Sequence, residues 1–177
     1  MKKTLSGLVF MVIAFFAVRY FIGGGSAAIN YNDRIVDSQS KIIVKIFDLA
    51  NAFEKSDPDE MDAKLLDLQT QIDESLTTVS AMESFDGNTR LRDGAIELFK
   101  FYKDISREEY KEIVEILSQP QSDITYSDYN RLQEIQKDIE AREVDLDKEL
   151  QAAQQEFAKI HGFQIKANKY QKQIDQM

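Results

Sequence analysis

From Asn30 onward, apolar side chains recur every third or fourth residue, the period of an amphipathic helix. In the first segment Tyr31, Ile35, Ile42, Ile46, Leu49 and Phe53 share one face, with Ser38 the small residue of the row. Asp57-Pro58 closes it, an N-cap followed by a proline allowed at a first helical position. Met61, Leu65, Leu68, Ile72, Leu76, Val79 and Met82 predict a second helix over residues 58–84, with Asp62, Asp67, Gln69 and Asp73 on its wet face. Asp86-Gly87-Asn88 reads as a tight turn in which Gly87 takes a positive φ. A third helix is predicted over 89–117 from Leu91, Ala95, Leu98, Tyr102 and Ile105, continued by Tyr110, Ile113, Val114 and Leu117. Within it Ser106-Arg107-Glu108-Glu109 has the form of a capping box, so the helix kinks or restarts there.

After the break at Gln119-Pro120-Gln121-Ser122-Asp123, a fourth helix starts near Ser127 and reaches Ile160. Leu132, Ile135, Ile139, Leu146, Leu150, Ala153, Phe157 and Ile160 carry its stripe, with Arg142 in the same row as a charge that snorkels or pairs. Gly162 is the C′ residue that stops it. Short connections between long helices imply antiparallel neighbours, so residues 29–163 are expected to form an up-down four-helix bundle about 40–50 Å long. The turn at 54–60 and the loop at 118–127 then share one end. The turn at 85–89 and the C-terminus share the other. Residues 164–177, rich in lysine and glutamine, read as a polar tail, frayed or weakly helical.

The N-terminal 28 residues are a different material. They hold Lys2, Lys3 and Arg19 and no acid. Removing these three positives from 22 Lys and Arg leaves 19 against 31 acids, so the remainder carries a formal charge of −12. Residues 5–18 (LSGLVFMVIAFFAV) have no amphipathic stripe, and Tyr20, Phe21 and Ile22 continue the apolar character beyond Arg19. One reading makes residues 5–22 a single transmembrane helix of roughly 27 Å, with Arg19 snorkelling and Tyr20 and Phe21 at the interface. The other makes residues 5–18 the core of a signal peptide, cleaved near Ser26-Ala27-Ala28. In both, Lys2 and Lys3 keep the N-terminus cytoplasmic and the bulk of the chain lies outside the inner membrane of a bacterium. Residues 23–28, with Gly23-Gly24-Gly25-Ser26, form a linker. The expected fold is all-α: an N-terminal transmembrane helix followed by the antiparallel bundle.

Composition removes most chemistry. Two prolines and seven glycines in 177 residues are too few for the turns of a β-sandwich or barrel. With no cysteine there are no disulfides, thiolate metal sites, cysteine nucleophile or cysteine-linked lipid. A single histidine excludes the paired Glu-x-x-His sites of a di-iron bundle, and Glu156 and His161 are five apart, on different faces. His161 beside Gly162 reads instead as a cation at a helix C-terminus. Met61 and Met82 lie on the core stripe, which argues against a haem ligand. Asp57, Asp59, Glu60 and Asp62 lack the spacing of a calcium loop and suit the first turn of a helix. No glycine-rich phosphate loop is present, and the negative charge disfavours nucleic acid. Tyr126 and Tyr129 sit in the most polar loop, where they would contact a sugar polymer or protein; the expectation is that both rings pack over the bundle end. No catalytic, cofactor-binding or metal-binding residue is assigned.

Tyr31-Asn32-Asp33-Arg34-Ile35, Asn88-Thr89-Arg90-Leu91-Arg92-Asp93 and Leu150-Gln151-Ala152-Ala153-Gln154-Gln155-Glu156-Phe157-Ala158 resemble a family of uncharacterised bacterial surface proteins first catalogued in spirochaetes. The likeness spans roughly residues 30–165. It implies an exported, helical, non-enzymatic surface protein. Family members are often lipoproteins, but a chain without cysteine does not share that attachment. The expected function is a structural or interaction module of the cell envelope with an envelope protein as partner. The alternative is a small-ligand-binding or sensory bundle that signals through a partner.

Overall fold

The computed structural model describes residues 19–22, 26–162 and 164–167. It is a helical bundle. Helix α1 (Ser26–Lys55) begins inside the stretch expected to be a linker. Its predicted stripe of Ile35, Ile42, Ile46, Leu49 and Phe53 is buried, but so is a second row of Ala28, Asn32, Val36, Gln39, Ser40 and Ile43. The buried arc therefore covers about half the helix, because α1 packs on more than one neighbour.

At Ser56 the chain reverses with φ of 55°. Asp57 then caps α2 (Pro58–Ser80) by accepting from the backbone N–H groups of Asp59 at 3.1 Å and Glu60 at 3.3 Å. Helix α2 ends short of the expected residue 84. The Thr77 and Thr78 hydroxyls bond back to the carbonyls of Asp73 and Glu74, β-branched Val79 follows, and the carbonyl of Met82 is taken by Arg92 Nη1 at 2.9 Å. Phe85 and Asn88 exchange both backbone hydrogen bonds around Asp86 (φ 49°) and Gly87 (φ 77°), the tight turn that the sequence predicts.

The third leg is two helices, α3 (Arg90–Arg107) and α4 (Glu109–Leu117), broken at Glu108. The break falls where expected, but the capping box does not form. Ser106 is buried with its hydroxyl on the carbonyl of Lys103, and Glu108 caps α4 without a side-chain bond. The carbonyl of Ser106 accepts instead from Gln69 Nε2 of α2 at 2.8 Å, so Gln69 is not the solvated residue it was expected to be. The capping box lies at the next start: Thr125 and Asp128 cap each other's backbone at the head of α5 (Tyr126–His161). Gly162, with φ of 73°, ends α5 as expected.

Cross-helix pairs fix the antiparallel sense, since one residue number falls as its partner's rises. Ser38 meets Ser75 and Lys45 meets Asp67 between α1 and α2. Asp73 meets Arg107 between α2 and α3, and Tyr102 meets Glu143 between α3 and α5. One end is closed by an aromatic plug. Phe85 lies 5.2 Å from Tyr31, 5.4 Å from Phe157 and 5.0 Å from His161, centroid to centroid. The start of α1, the 85–88 turn and the end of α5 therefore share that end. The 56–57 turn and the 118–125 loop lie at the other, as the connection lengths imply.

Strands β1 (Arg19–Ile22) and β2 (Gln164–Ala167) pair antiparallel at the plugged end, Arg19 with Ala167 through Ile22 with Gln164. This corrects two expectations. Residues 19–22 do not continue a transmembrane helix, and residues 164–167 are not a frayed tail. Tyr, Phe and Ile favour extended backbone, and Gly162, with its positive φ, ends the helix ahead of β2. Residues 5–18 of the expected span and 168–177 of the expected tail lie outside the described residues. Among the described residues no helix is long and apolar enough to cross a membrane.

Gly94 marks where α3 comes close to α5. A Cβ added there would sit 3.7 Å from Leu150 Cδ1 and 3.8 Å from Leu150 Cα, ordinary contact distances. Gly94→Ala should therefore keep the fold and stabilise it by about 0.5–1 kcal/mol through helix propensity. Chemical denaturation checks this, and a loss of stability would show that α5 lies closer than described.

Candidate functional site: a buried acid and phenol cluster

The residues weighed from sequence do not come together. Glu156 pairs with Arg90 of α3. His161 stands in the last turn of α5, edge-on to Phe85 and 3.9 Å from Asp86. Met61 and Met82 are core residues. Asp57 caps α2, and Glu60 takes Lys55 Nζ at 2.7 Å. Among the described residues, no three His, Asp or Glu are grouped to hold a metal. Tyr129 is half-buried, but Tyr126 is 80% exposed and does not pack over the bundle end. It is the first residue of α5, well beyond Leu132, where the buried row of that helix begins.

The chemistry lies elsewhere, where α3, α4 and α5 meet. Along α5 the buried positions after Ile139 are Glu143, Asp147 and Leu150. Glu143 is 3% exposed and Asp147 7%, one turn apart on the same face. The Tyr102 hydroxyl of α3 donates to Glu143 Oε1 at 3.1 Å. Tyr110 of α4 is buried beside them and feels the Glu143 charge. Gln151 Nε2, one turn further along α5, donates to Asp147 Oδ2.

This environment penalises negative charge. Burial pushes the Glu143 carboxyl up to about 8. The Tyr102 bond works against that, and the nearby carboxylates of Asp147 and Glu140 add to it. Burial likewise raises the Tyr102 and Tyr110 hydroxyls, with Glu143 adding to both. At neutral pH Glu143 therefore stands protonated, a neutral acid that can donate one hydrogen bond while it accepts another.

The positive charges sit around the cluster. Arg142 lies over the Phe101 ring, 5.0 Å from its centroid, and reaches Glu109 at 2.5 Å and Asp138 at 2.9 Å. Arg131 forks onto both oxygens of Glu112, at 2.6 and 2.8 Å. The two arginines thus staple α4 to α5 on the outside while the acids lie within. On the far side of α3, Asp73 of α2 is held below the usual carboxylate range, first by its bond from Lys103. Arg142 pairs, as the sequence suggests, but Glu143 and Asp147 were missed. The step from Ile139 to the next core position is four residues rather than three, and the four-residue step lands on an acid.

Tyr102→Phe removes the donor and leaves a buried carboxyl oxygen unmet. It should destabilise the fold by about 1–3 kcal/mol in denaturant titration, and raise the Glu143 titration further in carboxyl NMR. An unchanged Glu143 titration would show that the hydroxyl does not serve the carboxyl. Comparison finds no matching family model, no matching curated protein and no matching solved structure.

Proposed function

We propose that the chain is a membrane-tethered, extracytoplasmic helical bundle that serves a bacterial cell envelope as a structural or protein-interaction module, without catalysis. The observation that carries this reading is the polarity of the bundle. The β1–β2 pair joins the segments that flank the helices, residues 19–22 and 164–167, at the plugged end. Residues 5–18 precede β1 in the sequence, so an apolar tether would lead off from that end. The opposite end exposes Tyr126 at the head of α5, just after the 118–125 loop. The resemblance to exported spirochaete surface proteins agrees with such a role. So does the charge contrast between a basic N-terminal segment and a remainder of formal charge −12, from 19 Lys and Arg against 31 acids.

With Arg19–Ile22 extended, the remaining 14 apolar residues would span roughly 21 Å as a helix, against a hydrocarbon layer of about 30 Å. A tether of that length needs local thinning of the bilayer or snorkelling by Lys2 and Lys3. It also has the length of a signal-peptide core.

A second reading, a bundle that takes a small polar ligand, draws on one observation. Among the described residues, Asn32 Oδ1, both amide atoms of Gln39, Ser40 Oγ and Gln154 Nε2 are buried without a hydrogen-bond partner. Such groups demand partners. A ligand of this kind would raise the thermal midpoint in a panel of small amides and amino acids.

Intact mass and alkaline carbonate extraction of the protein from its own membranes test the tether. The expected result is a membrane-retained chain that keeps residues 5–18. A released chain beginning near Ile29 would overturn it. A photocrosslinking residue in place of Tyr126 should give one discrete adduct and change stability by less than about 0.5 kcal/mol. The same probe at Thr70, on the exposed side of α2, should give none; equal labelling from both positions would refute a tip-directed interaction.

A further inference from the structure

The geometry points to a proton-operated latch: Glu143, buried where α5 packs on α3 and α4, is seated there with its proton on, and loss of that proton in mildly alkaline medium loosens α5 while α1 and α2 stay packed. The inference goes beyond the envelope role and does not depend on where the protein resides.

Three observations support it. The carboxyl is inside the bundle, at a position that a continuous apolar stripe would give to leucine or isoleucine. The hydrogen bond it accepts comes across from Tyr102 of α3, so the carboxyl stands at the joint between two helices; that bond alone favours the ionised form, and burial with the neighbouring acids outweighs it. Burial and the remaining groups around it favour the protonated form. From α4 it faces the Tyr110 phenol, with Glu109 next along that helix. On α5 it faces Asp147 and Glu140. Arg142, the neighbouring cation, is turned to Glu109 and Asp138. On α2, Asp73 is engaged by Lys103 and Arg107 of α3. A charge formed on Glu143 would thus add to a buried acidic neighbourhood, and moving α5 toward water relieves it.

The direction follows from linkage. The folded carboxyl titrates at about 8 and an exposed one at 4.5, so the closed state holds the extra proton between these values. The latch is at full strength below about pH 4.5 and weakens steadily as pH rises through 8. The helices α1 and α2 are joined to each other by their own seam, including the buried bond from the Ser75 hydroxyl to the Ser38 carbonyl. They have no share in this titration.

The test is native-state hydrogen exchange on the full chain in mild detergent at pH 6 and pH 9, corrected for intrinsic exchange rates. The α5 amides around Glu143 should lose up to about 100-fold in protection, the ratio set by 4.5 and about 8, while those of α1 and α2 change little. In Glu143→Gln, which keeps the shape and cannot ionise, the difference should vanish. An equal loss in all helices, or the same loss in Glu143→Gln, would overturn the latch. Should Glu143→Gln fail to fold, the Cδ resonance of Glu143 in the unmodified protein decides. A midpoint above about 6.5 together with a loss of protection confined to α5 in the unmodified protein upholds the proposal, and a lower midpoint ends it.

Discussion

Helix α5 cannot lie along α3 and α4 without taking Glu143 out of water. Everything about the third and fourth legs answers to that constraint. Tyr102 must be at the right height on α3 to meet the carboxyl, which sets the register of α5. In that register Leu150 passes Gly94, the point where α3 and α5 come close. Arg142, one residue before the acid, necessarily points to the rim, where Phe101 and Glu109 receive it. Burying an ionised carboxylate would cost several kcal/mol, whereas a proton removes most of that penalty. The core is therefore built around a neutral acid, and its polar bond gives α5 a specific height that apolar contacts alone would leave freer to slide.

The break between α3 and α4 belongs to the same arrangement. On a straight third leg Tyr110, eight residues on, would stand about 80° around the axis from Tyr102. Breaking the helix at Glu108 lets α4 turn, so that Tyr110 is buried beside the acid while Glu109 and Glu112 reach Arg142 and Arg131. The break is braced from α2 by Gln69, which holds the carbonyl of Ser106. A glutamine drawn from the nominally wet face of one helix thus supports the irregularity in another.

Periodicity made the apolar framework legible. Ile35, Ile42, Leu68, Ile72, Leu98 and Ile105 repeat at helical spacing and are buried, and the Asp57-Pro58, Gly87 and Gly162 signals stand where their backbone geometry is needed. What stayed hidden has a common cause: polar residues in core positions look like solvent-facing ones in a single sequence. Glu143, Asp147, Asn32 and Gln39 interrupt the stripes, and only the neighbouring helix shows that they lie inside. The Thr125–Asp128 box was readable, since the spacing is present in the sequence, but Ser106 offered the same pattern and did not form one. The β1–β2 pair was not readable at all. Four-residue strands carry almost no periodic signal, and their pairing joins opposite ends of the chain.

That pairing decides how the molecule is polarised. A bundle with free ends could present either end to its surroundings. Here β1 and β2 tie the segments that flank the helices together beside the Tyr31, Phe85, Phe157 and His161 plug. The other end is closed only by a reversal at Ser56 and the polar loop ahead of Thr125. The acid cluster lies between the two, on the helix that runs the full distance from the loop to the plug. A change in how α5 seats on α3 and α4 would therefore move the Tyr126 end more readily than the plugged one, because among the described residues the plugged end has the β1–β2 pair in addition to its helix contacts.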